Sequence, residues 1–229
     1  MELTILMPRL NEERTVAVCV RQAAAFLVQS RIDGEVLVVD NGSTDASVRL
    51  ATEAGARVLC CRETGYGSAL RYGIEHAAGT YVIMGDCDCS YPFDRLETFI
   101  QYLRDGADMV IGDRFALPME RGAMSFLHRY IGVPILSLLG RCRFHTDVHD
   151  FHCGLRAVKR ESFLRLSCRC GGMEFATEMI GRAALSGQKI CQVPVAFSRD
   201  RRGRSSHLRT VHDGIRHLRL ILSLCRENI

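Results

Sequence analysis

Two aspartates separated by one residue, Asp86 and Asp88, stand directly after the apolar run Tyr81–Met84. In an extended chain alternate residues point the same way, so both carboxylates can face one site. Converging carboxylates repel unless a cation or a proton sits between them. Such oxygen ligands suit magnesium or manganese, which complete their shells with water and substrate phosphates. A solvated turn is the competing reading, and the strand-like run in front of the pair favours the metal. A second cluster, Asp40-Asn41-Gly42-Ser43-Thr44-Asp45, closes another apolar run. Gly42 allows a tight turn and Ser43 or Thr44 can cap a helix. Asp40 is in addition placed to accept hydrogen bonds from the base or ribose of a nucleotide, as strand-end acids do in dinucleotide sites. Asn11-Glu12-Glu13 follows a third apolar run and reads as a helix start with acids in its first turn. Gly65-Tyr66-Gly67-Ser68 can bring amides close to an anion at a helix N-terminus, but it matches neither the G-x-G-x-x-G nor the Walker pattern.

The elements that must position these groups alternate. Strands are predicted at Leu3–Met7, Glu35–Val39, Arg57–Cys60, Thr80–Met84 and Met109–Gly112. Helices are predicted between them at Glu12–Ser30, Asp45–Ala54, Ser68–Ala77 and Phe93–Arg104. This rhythm implies an α/β fold with a mostly parallel central sheet and helices on both faces. Ligand sites of such sheets form at the carboxyl ends of the strands, where the three clusters fall. After Asp113 the rhythm changes. Ser125–Leu139 reads as an apolar helix that Pro134 must kink or split. Gly154–Val158 and Gln188–Val195 read as strands, and Glu174–Leu185 as a helix. With no linker or internal repeat, residues 1–229 are expected to form one domain, a nucleotide-binding half at 1–114 and an acceptor half at 115–229.

The 47% hydrophobic and 24% charged residues suit a globular domain with one large core. The net charge of +4 says little by itself, but Arg199–Arg219 is much more basic than the rest and would attract phosphates. No recognised nucleic-acid-binding motif accompanies it, so nucleic acid is not an expected partner. Met1-Glu2 leads directly into a strand-like run, and no apolar stretch reaches the ~20 residues of a membrane span. The eleven cysteines are therefore expected to be reduced, in a cytoplasmic chain without disulfides. Cys87-x-Cys89 and Cys168-x-Cys170 lack the usual zinc spacing, so no zinc is expected.

Taken together, the strings MPRLNEE (7–13), VVDNGSTDAS (38–47), GYGSALRYGI (65–74), GTYVIMGDCDCSYPF (79–93), IGDRF (111–115), DFHCGLRAVKRE (150–161) and GMEFATEM (172–179) resemble family-2 glycosyltransferases. More narrowly they resemble the polyprenyl-phosphate hexose synthases, the group of dolichol-phosphate mannose and glucose synthases. The likeness runs from Leu3 to about Leu222. It implies a GT-A fold and transfer of a hexose from a nucleotide-diphosphate sugar, of the UDP-glucose or GDP-mannose type, to a lipid phosphate with inversion. It implies Mg2+ or Mn2+ at Asp86 and Asp88, the nucleoside at Pro8, Leu10, Glu12 and Asp40, and Cys87 against the nucleotide. Arg114 and Arg129 would hold phosphates. This sequence departs from the pattern at Cys89 and near Pro92, where relatives often carry acids, at Arg9, where they carry a small residue, and at His149. Relatives often continue into membrane helices, so a soluble form or a membrane-anchoring partner is the expectation for this chain.

A metal-neutralised diphosphate is a good leaving group, which is electrostatic stabilisation of the transition state. The acceptor, a phosphate monoester with its second pKa near 6, is mostly dianionic at neutral pH and does not require a strong base. Asp88, Asp150, Glu178 and Arg114 are the catalytic candidates. Asp147, Asp150, Glu174 and Glu178 are candidates for acceptor positioning or base work, with loop and helix-surface roles as alternatives. Gly67 is assigned to donor binding. Arg156 and a Gly/Ser-containing loop with Arg199, Arg201, Arg202 and Arg204 are assigned to phosphates, the loop as a lid. A catalytically silent, nucleotide-sugar-binding subunit of a membrane complex is the alternative, resting on the missing acids. From His207 onward, Leu208, Val211, Ile215, Leu218, Leu222 and Cys225 form one apolar stripe beside several arginines. It either packs on the domain or lies, with Phe126–Leu139, at the cytoplasmic face of a membrane.

Overall fold

The computed structural model describes residues 1–203 and 210–224. Seven strands form one sheet: β1 (Leu3–Arg9), β2 (Gly34–Asp40), β3 (Arg57–Cys60), β4 (Tyr81–Met84), β5 (Met109–Asp113), β6 (Arg156–Lys159) and β7 (Ile190–Pro194), in the order β3-β2-β1-β4-β6-β5-β7. The helices are α1 (Val16–Gln29), α2 (Ser47–Glu53), α3 (Tyr66–His76), α4 (Glu97–Arg104), α5 (Val133–Phe144), α6 (Arg160–Arg165), α7 (Phe175–Leu185) and α8 (Thr210–Leu224). A π-helical turn, His128–Gly132, precedes α5. The strands β1 and β5 are buried along their whole length, as continuous apolar runs between two helical layers must be.

One strand breaks the parallel pattern. β6 is antiparallel to both neighbours, β4 and β5. The reason lies in its connection. The chain leaves β5 at the carboxyl edge of the sheet, and residues 114–155 contain α5 but no strand. The chain re-enters the sheet from that same edge and has to run the other way. Both the end of β5 and the start of β6 are thereby delivered to the edge that carries Asp40 and Asp86.

Several element starts move inward from the predicted ones. α1 begins at Val16 rather than Glu12, because residues 10–15 are tied into a loop. The Asn11 amide donates to Ser43 Oγ and the Glu12 amide to Ser47 Oγ, each at 2.8 Å, while Asn11 takes a left-handed conformation. The first and second clusters therefore brace one another. α4 begins at Glu97, since Phe93 and Leu96 are spent filling the core ahead of it. The helix does not break at Pro134: the helical run continues through residues 126–144, and the irregularity takes the form of the π-helical turn directly before the proline, which lies in the first turn of α5. α6 was not foreseen from the periodicity.

Candidate functional site

The carboxyl edge of the sheet collects residues from five strands: Pro8–Glu12 after β1, Asp40 on β2, Gly85–Ser90 after β4, Asp113 and Arg114 at β5, and the segment 150–156 leading into β6. Cys87 donates its thiol to the Pro8 carbonyl at 3.6 Å. Burial pushes that thiol well up, which suits packing rather than ionisation. Asp86 is approached closely by backbone. A Cβ added to Gly154 would lie 2.5 Å from Asp86 Oδ2, so the glycine is required there. Tyr66 lies beside Asp86 and favours its charged form. Burial, and then the charge of Asp88, raise the Asp86 pKa, the condition of a carboxylate that needs a cation.

Asp88 is buried and fully engaged. Its Oδ1 accepts from the Ser90 amide at 2.9 Å and the Ser90 hydroxyl at 2.5 Å. Its Oδ2 accepts from Arg202, and its backbone carbonyl holds the Arg201 amide at 2.9 Å. Arg202 also lies 3.5 Å from Glu12 Oε1. The guanidinium thus stands where positive charge is demanded, against Asp88 and Glu12. Its Nε is buried without a hydrogen-bond partner, so the arginine is incompletely satisfied in this place.

Asp40 lies in direct register with Arg9 across the β1–β2 ladder, and the two make an ion contact of 2.9 Å. The Ser43 amide donates to both Asp40 oxygens at 3.2 and 3.3 Å. Arg9, one of the sequence's departures, is thereby part of this corner. Its side chain is buried, and Nε, Nη1 and Nη2 all lack a well-aligned hydrogen bond. Pro8 is buried in the strand and Leu10 is partly exposed at the loop. Sequence reasoning did not assign roles to the side chains of Arg9, Tyr66 or Tyr91. Tyr91 accepts the Gly154 amide at 2.8 Å and so ties the aspartate loop to the β6 segment. The only signal for these tyrosines was their presence inside the quoted motifs.

Four expected site residues are corrected. Arg156 does not present its charge to a phosphate: Nε donates to Cys153 O, Nη1 to Ala176 O and Nη2 to Phe151 O, at 2.6, 2.6 and 2.7 Å. Glu178 is not a free carboxylate. It accepts the Arg169 and Cys170 amides and pairs with Arg182, so it anchors the 169–170 loop. Asp150 is inaccessible, at 0% exposure, and is grasped by Arg114 through Nε and Nη2 at 2.6 and 2.9 Å. Its carboxylate is committed to Arg114, whose guanidinium also lies over the Phe197 ring at 5.1 Å. Gly67 faces protein, since a Cβ there would lie 2.4 Å from the Cys170 carbonyl oxygen. It lets α3 pack against the 170–172 backbone. Each of these residues carries a charge or a glycine that looks available in one dimension, and packing consumes it in three.

Other candidates stay near the surface. Arg129 sits on the π-helical turn with its guanidinium over Tyr130. Asp147 is exposed, whereas Glu174 is buried and pairs with Arg216. Arg204 lies outside the described residues.

This geometry frames the comparison with known proteins. Residues 4–166 match glycosyl transferase family 2. The chain is 37% identical over 221 residues to the low-salt glycan biosynthesis hexosyltransferase Agl6 of Haloferax volcanii, covering 96% of this chain and 53% of that protein. It is 30% identical over 204 residues to a dolichyl-phosphate hexose transferase of the same organism, covering 88% and 85%. Among solved structures it superposes on glucosyl-3-phosphoglycerate synthase from Mycobacterium tuberculosis, crystallised with Mn2+, UDP-glucose and glycerol 3-phosphate. There the TM-score is 0.73 at 22% identity, over 100% of this chain and 81% of that one. The fold is GT-A, and the chain belongs to glycosyl transferase family 2. It spans about half the length of Agl6.

Proposed function

We propose that this chain transfers a hexose from a nucleotide-diphosphate sugar to a polyprenyl phosphate, with Mg2+ or Mn2+ held by Asp86 and Asp88. The observation that carries the reading is the pair of aspartates at the end of β4, with a guanidinium resting on one of them. Two carboxylates form a hard oxygen donor set that fits either ion. When bound, the ion would neutralise the leaving diphosphate. Arg202 would exchange Asp88 for the diphosphate, and Asp40 with Arg9 would face the nucleoside. Arg114, oriented by Asp150, and Arg129 would serve the phosphates. The engagement of Asp150 and Glu178 by other groups accords with an acceptor that needs no strong base.

The lipid acceptor is supported by the named relatives and by an apolar surface. Among the described residues no helix is long and apolar enough to cross a membrane. Phe126, Leu127, Tyr130, Ile131, Ile135, Leu138 and Leu139 are nevertheless exposed. α8 packs against α5 and α7. It buries Asp213, His217, Ile221 and Leu224 and leaves Ile215, Leu218 and Leu222 outside. Ile215, Leu218 and Leu222 of the predicted apolar stripe thus face away from the domain, while Leu208, Cys225 and the side chain of Val211 lie outside what is described. An exposed apolar face with nearby arginines suits the headgroup region of an anionic bilayer.

The test is transfer from UDP-glucose, UDP-galactose, GDP-mannose and UDP-N-acetylglucosamine to a short polyprenyl phosphate, with manganese and with chelator. Metal-dependent transfer from one donor supports the reading, and donor binding with neither transfer nor hydrolysis refutes the enzymatic part. Co-sedimentation with anionic vesicles at low and high salt tests the surface. Failure to bind at low salt refutes membrane attachment by this chain.

A further inference from the structure

All ten cysteines among the described residues are free, and one pair meets. Cys19 Sγ on α1 and Cys89 Sγ beside Asp88 are 3.7 Å apart, the one sulfur–sulfur contact in hydrogen-bonding range among the described residues. The two thiols differ in access. Cys19 is completely buried, whereas Cys89 is partly exposed and lines a cleft of about 310 Å3 with Val18, Gln22, Arg95 and Arg201. Nothing in the transfer reaction requires either thiol. Cys89 also lies between two residues that hold the arginine segment: the Asp88 carbonyl accepts the Arg201 amide and the Ser90 carbonyl accepts the Ser198 amide, at 2.9 and 3.0 Å.

We infer that Cys19 and Cys89 form a reversible oxidative modification site whose closure releases the 198–202 segment from the aspartate loop. The chemistry balances with a peroxide as oxidant. The accessible Cys89 sulfur attacks the peroxide oxygen, giving a sulfenic acid and one water. The Cys19 sulfur then attacks Cys89 Sγ, the S–O bond breaks, and a second water leaves with the thiol proton. Two thiols and one hydrogen peroxide become one disulfide and two waters. The sulfurs must close from 3.7 Å to the covalent distance of about 2.05 Å. α1 is a packed helix of 14 residues, whereas Cys89 sits in a loop in the left-handed conformation, so the loop supplies the movement. That movement displaces the Asp88 and Ser90 carbonyls on either side of Cys89, which hold the Arg201 and Ser198 amides.

The experiment uses the full chain, reduced or treated with hydrogen peroxide, without metal or nucleotide. Thiol alkylation and peptide mass spectrometry locate the bonds, and trypsin cleavage after Arg199, Arg201 and Arg202 reports release of the segment. The expected result is a Cys19–Cys89 disulfide as the first product. Cleavage at those arginines should rise about ten-fold or more, as expected when two restraining hydrogen bonds are lost, and return to its original rate with dithiothreitol. Cys19→Ser and Cys89→Ser should each abolish the oxidant response. Either a Cys19 that stays alkylatable after excess peroxide, or a disulfide that leaves cleavage unchanged, overturns the inference. So does an undiminished response in Cys19→Ser. None of these readouts depends on sugar transfer, so failure of the proposed function is separately visible.

Discussion

Replacing Arg156 with methionine should damage the fold, not merely phosphate binding. The guanidinium is buried, and its three nitrogens donate to the carbonyls of Cys153, Ala176 and Phe151. Methionine fills similar volume but leaves those acceptors without their donors. Each buried, unsatisfied polar group costs about 1–3 kcal/mol. Part of this is offset, because the wild-type chain bears the desolvation of a buried charge, which lowers the Arg156 pKa. The net loss is expected to be about 3–5 kcal/mol, the range for breaking a buried polar network. That is a large share of a total stability of about 5–15 kcal/mol. With a urea m-value of about 2–3 kcal/mol/M, the midpoint should fall by about 1–2.5 M. Arg156→Lys should fall between the two, since one ammonium cannot span three carbonyls. A methionine variant that melts like wild type but loses binding of UDP or of a phosphate acceptor would refute this reasoning and restore the phosphate role read from the sequence.

Asp88→Ala should abolish Mn2+-dependent donor binding while the protein stays folded, because the change removes a ligand and relieves repulsion on Asp86; near-normal titration of Mn2+ and nucleotide would show the assignment to be wrong. Gly154→Ala should weaken Mn2+ binding, since the new Cβ would sit 2.5 Å from Asp86 Oδ2 and displace the carboxylate; unchanged affinity by calorimetry would refute the close approach. Acid should destabilise the chain through His217, whose pKa burial lowers from 6.5 to about 4. The unfolded chain binds the extra proton between those values, so stability is full above pH 6.5 and is lost as pH falls toward 4, by about 3 kcal/mol for this residue. Urea melts across that window should show the loss, and His217→Gln should flatten it; an unaltered slope in the variant would dismiss the histidine as its source.

The sequence alone determined the order of the elements and the end of the sheet at which chemistry collects. Continuous apolar runs have to become buried strands, and polar clusters immediately after them have to emerge at the carboxyl edge, as Asp40, Asp86 and Asp88 do. Spacing also carried the helical irregularity next to Pro134, though as a π-helical turn and not a break, and the apolar stripe of α8, because both follow from local backbone rules. The side of α8 that meets the domain was a tertiary matter: a buried His217 hydrogen-bonds Thr177, so Asp213 and His217 face inward with Ile221 and Leu224, while Ile215, Leu218 and Leu222 face out. The direction of β6 likewise depended on where the long 114–155 connection re-enters. The fates of the charged residues were decided last and only in three dimensions. Arg156, Glu178 and Asp150 have the residue types of a phosphate clamp and an acid–base pair. A charge taken from water must find its partner nearby, and for these three the partner is the protein itself: backbone carbonyls for Arg156, backbone amides and Arg182 for Glu178, and Arg114 for Asp150.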